Sequence, residues 1–185
     1  DTINGPSSSS TSGTESESGS AQYTEIKVNM KNIIVLSDIH GPGNLANFPE
    51  PFVSKEGVYN DETALVVGSN ADVSDVLALG DITAKLQFLT KIGKTTVITL
   101  KDTEITDLGK YNLIALSSLN NNNNCINPIV EKFVSCRSLD LNPGEAILKF
   151  VSYNNKLSLL IIGKASADVR FASMVFKEFE NYRIS

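Results

Sequence analysis

Residues 66–86 read VVGSNADVSDVLALGDITAKL, an apolar run that ends at Gly68 and gives way within a few residues to a helical pattern. A buried strand therefore turns through a glycine into the first turn of a helix. This is the joint of Rossmann-like α/β domains, where phosphate commonly sits on the helix N-terminus. Gly68 permits the sharp bend, Asn70 stands where it can cap the helix, and Asp72 and Asp75 place two carboxylates in the first turn, against the positive end of the dipole. That pole is already neutralised, so the joint reads as structural. The helix is expected over 71–91, with Val73, Val76, Leu77, Gly80 and Ala84 at i, i+3, i+4, i+7 and i+11 as the face turned to a sheet. Strands at 63–67 and 95–100 complete a βαβ unit, parallel and with a right-handed crossover.

Upstream, residues 7–20 contain only Ser, Thr, Gly and Glu, a composition that buries nothing and cannot offset the ordering entropy of its backbone. Residues 1–22 are read as a tail or linker, with an O-glycosylated stalk as the alternative; the chain has no N-x-Ser/Thr sequon. Residues 23–185 form one α/β domain. Alternation over 23–29, with Tyr23, Ile26 and Val28, marks an exposed or edge strand, whereas the continuous apolar run at 33–36 lies deeper. Prolines and glycines over 41–59 forbid regular structure and predict a long wrapping loop.

Downstream, a short acidic helical turn is expected at 103–109, a buried strand at 112–116, an asparagine loop at 120–124 and a helix at 128–135 with Pro128 in its first turn. Residues 146–152 and 157–162 read as a hairpin around Tyr153-Asn154-Asn155-Lys156. A last helix over 167–182 buries Val169, Ala172, Phe176 and Phe179. The fold class is α/β: a mixed sheet flanked by helices, parallel in its middle and antiparallel towards a C-terminal hairpin and helix.

With 185 residues, 41% hydrophobic and 20% charged, the chain can bury one sizeable core. A net charge of −5 argues against nucleic acid as partner, since phosphate binding needs clustered Lys and Arg. No run approaches the eighteen or so apolar residues of a membrane span, and no signal peptide stands in the sequence, whose Asp1 reads as a processed end or an excision boundary.

Three enzyme-like patterns need weighing. IIVLSDIHG at 33–41 imitates the Asp-x-His opening of a metallophosphoesterase, with Asp38 and His40, and Asp81 imitates a further carboxylate ligand. A two-metal site needs more histidines, and His40 is the only one in the chain. Gly68, Ser69 and Asn70 offer an anion nest for a nucleotide, but no P-loop lysine and no GxGxxG accompany them. One histidine in a glycine-proline loop supports no Ser/His/Asp or Cys/His arrangement. Asp72, Asp75, Asp81 and Asp168 read as caps and first-turn charges, with weak calcium binding as the alternative; Arg170 is expected to pair with a surface carboxylate. Cys125 and Cys136 are either reduced core thiols or a disulfide across a short helix. The lack of a CxxC pair argues against zinc, and a single histidine cannot complete a site.

The same residues carry a resemblance. VGSNAxxSDVxAxxDIxAKL, with Cys125-Ile126-Asn127, Cys136, PGEAILK at 143–149 and LLIIGKASADVRFA at 159–172, resembles the N- and C-terminal regions of archaeal surface-layer (S-layer) proteins, in the same order and over about 32–182. The family's large middle domains are missing between the two blocks, as in a minimal version or an excised part, and the asparagine run replaces a Gly-Gly-Pro turn. The resemblance implies a Cys125–Cys136 disulfide, contributing roughly 2–3 kcal/mol in a secreted domain. It further implies a structural, non-enzymatic protein at the cell surface whose partner is itself, in a lattice or filament, without cofactor. The expected contact elements are loops 41–59 and 120–124 and the tail to 29, with 23–29 adding to a sheet edge.

Overall fold

The computed structural model describes residues 33–35, 47–93 and 96–177. Among the described residues six strands form one sheet: β1 (Ile33–Val35), β2 (Thr63–Val67), β3 (Ile98–Lys101), β4 (Asn112–Ser118), β5 (Ala146–Tyr153) and β6 (Lys156–Gly163), in the order β1-β5-β6-β4-β2-β3. Strands β3, β2, β4 and β6 are mutually parallel. β5 runs antiparallel to β6, and β1 parallel to β5. The mixed α/β sheet expected from the sequence is thus the architecture found. The β5–β6 turn is Asn154-Asn155, both at positive φ (48° and 61°), as a two-residue hairpin loop demands.

Helices α1 (Val73–Leu89) and α3 (Ser166–Lys177) lie side by side on one face of the sheet. Leu65, Ile114, Leu116, Leu159 and Ile161 point towards them. Their neighbours Ala64, Val66, Leu113, Ala115, Leu160 and Ile162 point to the opposite face, under the short helix α2 (Pro128–Glu131) and the segment around Cys125, Cys136 and Leu141. This period-two division explains the continuous apolar runs, because the central strands are covered on both sides. The part of the wrapping loop described, from Asn47, sends Phe48, Phe52 and Val53 into the helix-side core, where Phe48 meets Phe176 edge-on at 4.1 Å and Phe52 stacks on Phe150 at 6.5 Å.

Helix α1 is shorter than the expected 71–91 and turns a different face to the sheet. The face that meets the sheet carries Asp75, Ala78, Leu79, Ile82, Lys85 and Leu86. Val73, Val76 and Leu77 are 72, 50 and 45% exposed, and Gly80 and Ala84 are exposed as well. The helix is apolar on both sides, so helical spacing selects two faces, and the bulk of Ile82 and Leu86 decides which one fills the core. Other boundaries move by a few residues: β3 starts at Ile98, the acidic turn is a 3-10 helix at Asp102–Glu104, and α2 stops at Glu131. Among the described residues no helix is long and apolar enough to cross a membrane.

Candidate functional site

In open α/β sheets ligands bind outside the C-terminal ends of the strands. Here those ends are Val67 of β2, Ser118 of β4 and Gly163 of β6, with α1 starting beside them. The helix is capped by Asp72, whose carboxylate accepts from the Ser74 N–H at 3.3 Å; Asn70, the expected cap, precedes the helix. At Gly68, Ser69 and Asn70, weighed above as an anion nest, one backbone donor is already taken by a side chain of the protein. The Ser69 N–H donates to the carboxylate of Asp102, delivered by the turn after β3. Gly68 is required by close approach: a Cβ there would stand 2.9 Å from the Ile126 carbonyl oxygen and 3.2 Å from Asn127 Cα.

The backbone that presses on Gly68 leads into a fully buried Asn127. Its Nδ2 donates to the carbonyls of Leu116 (3.0 Å) and Val66 (3.4 Å), stitching the ends of β4 and β2, while Oδ1 accepts from the Ile129 N–H and caps α2. Its N–H donates to Ser117 Oγ at 3.0 Å. One residue along β4, on the helix side, the Ser118 hydroxyl donates to Asp75 Oδ2 at 2.8 Å. Asp75 is 1% exposed and its Oδ1 has no partner. Burial therefore pushes its carboxyl above the usual range, against the opposing hydrogen bonds from Ser118, and the nearby Asp72 adds to the rise.

Cys125 and Cys136 form the disulfide that the resemblance implied, with Cα atoms 5.6 Å apart. Glu131 accepts from the backbone N–H groups of both cysteines, at 3.4 and 3.3 Å. The two sulfurs and this carboxylate lie within 4.8 Å of one another, but the S–S bond occupies both sulfur donors. The asparagine run closes on itself: Asn120 Oδ1 accepts from the N–H groups of Asn122 and Asn124, and Asn123 adopts φ 58°. Arg137 and Lys164 then hold Asn124 and Asn123 by their side-chain oxygens.

The remaining candidates separate. Asp81 lies in the middle of α1, 3.8 Å from Arg170 and 4.0 Å from Lys177 of α3, so it supplies the carboxylate expected for Arg170. Asp168 accepts from the N–H groups of Ala165 (3.0 Å) and Gly144 (3.2 Å), capping α3 and fixing the preceding loop. Asp38 and His40, and the strand expected at Tyr23, Ile26 and Val28, fall outside the described residues. A cleft of about 710 Å³ opens at the other end of the strands, between loop 47–60 and the hairpin, and is lined by Asn47, Glu50, Ser54, Tyr59 and Asn155 among others. Burial pushes the Tyr59 phenol up to about 12, and its OH donates to the Thr63 carbonyl at 3.3 Å.

Sequence reading missed Asp102 and Ser118, whose partners are distant in the chain, and Glu131, whose carboxylate bonds the amides of two cysteines six and five residues away. Asn127 carried a usable signal, since Asn before Pro is an N-cap followed by a first-turn proline. In comparisons with known proteins, no family model and no curated protein matches this chain.

Proposed function

We propose that this chain is a non-catalytic structural protein of an extracellular, cell-surface assembly, built by association of copies of itself into a layer or filament. The observation that carries the reading is the state of the strand C-terminal ends. Asp102, Asp75 and Asn127 take up the amides, hydroxyls and carbonyls that a ligand would use there. A site so filled serves as a joint between strands and helices.

Two further features support the reading. A disulfide is the usual reinforcement of a domain outside the reducing cytosol. The chain also resembles S-layer proteins in two separated blocks. In this reading segment 23–29 is the part that docks on a neighbouring copy, at β3, which among the described strands pairs on one side only. The test pairs activity with assembly. Purified protein with manganese should turn over no phosphate ester and should pellet as large particles, and deletion of residues 1–29 should abolish the pelleting. Ester turnover that disappears in Asp38→Ala, or pelleting untouched by the deletion, would overturn the corresponding half of the proposal.

A further inference from the structure

The outward side of α1 is an apolar strip on a water-facing helix. Val73, Val76, Leu77, Gly80, Ala84, Gln87 and Phe88 share that side and all are exposed, Phe88 at 77%. Gln87 is its one polar member. A helix that is apolar all round belongs in a buried setting, and a helix turned to solvent ordinarily carries polar residues outward. Gly80 sharpens the point. A glycine in the middle of an exposed helix weakens it relative to alanine, and a Cβ at Gly80 would meet nothing within 4 Å among the described residues. No described residue of its own subunit uses the space the missing side chain leaves.

We propose that this strip is the contact between two copies of the chain, α1 packing antiparallel on α1 about a two-fold axis at Gly80. The proposal gives the self-association above a specific surface, and it rests on that reading. The order of side chains is self-complementary about this point. Reversing the helix there brings Val76 of one copy opposite Ala84 of the other, large against small, and Val73 opposite the aliphatic stem of Gln87, with Gly80 letting the backbones approach at the centre. Charge agrees with the same direction. Asp72 is exposed at the N-terminal end and Lys91 just past the C-terminal end, so antiparallel pairing sets each near the other and opposes the two helix dipoles. A parallel pair would place like charges together. A helix of 17 residues, about 25 Å long, gives an interface at the small end of the specific range, where association is weak.

Sedimentation velocity of the full chain from about 1 to 200 μM tests this over the range expected for such an interface. The wild type should pass from monomer to dimer or larger species. Val73→Asp and Leu77→Asp should each weaken the association at least tenfold with the circular-dichroism spectrum unchanged. Val73→Asp guards against misfolding, because a carboxylate in the first turn favours the helix. Gly80→Cys should oxidise to a covalent dimer, since only close helix approach brings the two Cα atoms within about 7 Å. Association that both aspartate variants leave intact, with no Gly80 cross-link, would overturn this contact while the proposed self-association stands. A wild type that stays monomeric throughout would overturn both.

Discussion

Asp75 should make this protein lose stability as pH rises through the weakly acidic range, the reverse of the usual behaviour of a carboxylate. Its carboxyl is 1% exposed, takes the Ser118 hydroxyl at 2.8 Å, and leaves Oδ1 unpartnered. The folded state therefore holds the proton more tightly than the unfolded chain, where the group titrates near 3.8. Below that value both states are protonated and the advantage of the folded state is complete. Between 3.8 and the raised folded value the unfolded state ionises first, and stability falls by up to about 1.4 kcal/mol per pH unit. Asp75→Asn removes this proton. The amide oxygen keeps the Ser118 bond, while the NH₂ occupies the partnerless position at a pH-independent cost of about 1–3 kcal/mol. The variant should thus be less stable than wild type near pH 4, and the gap should close or reverse by pH 7. Urea melts of both proteins at each pH unit from 4 to 8 measure the difference, in which the titrations of other carboxylates cancel. A gap that is constant with pH, or that widens as pH rises, would refute the argument from burial.

Further outcomes follow from the same joint. Asn127→Ala strips two strand carbonyls and the α2 cap of their partner and should cost about 3 kcal/mol in urea unfolding. Gly68→Ala forces a Cβ to 2.9 Å from the Ile126 carbonyl and should destabilise by about 1–3 kcal/mol, lowering the melting temperature. Replacing both cysteines by serine opens a loop of sequence separation 11, and unfolding free energy should fall by about 2.8 kcal/mol. Asp81→Ala breaks only partly exposed pairs at 3.8 and 4.0 Å and should change stability by less than about 1 kcal/mol.

The strands were legible because each buried one is a short apolar run between turn residues, and 63–67 coincides with β2 at both ends. The hairpin was legible from two asparagines that tolerate positive φ. Helix α1 shows the limit of periodicity. Residues 73, 76, 77, 80 and 84 are as well spaced as 75, 78, 79, 82 and 86, but the buried set includes Asp75 and the exposed set reads as purely apolar. A carboxyl group on the core side is tolerated because Ser118, 43 residues away, donates to it. Asp102 meets Ser69 across 33 residues for the same kind of reason. Local pattern carries no record of such pairings, so the joint at Gly68 could be read as structural while most of the groups that fill it could not be named.

Electron microscopy of the purified full chain tests the central claim most directly. The account predicts ordered sheets or filaments built from one repeating subunit. A field of dispersed monomers at the same concentrations, with or without added calcium, would contradict it.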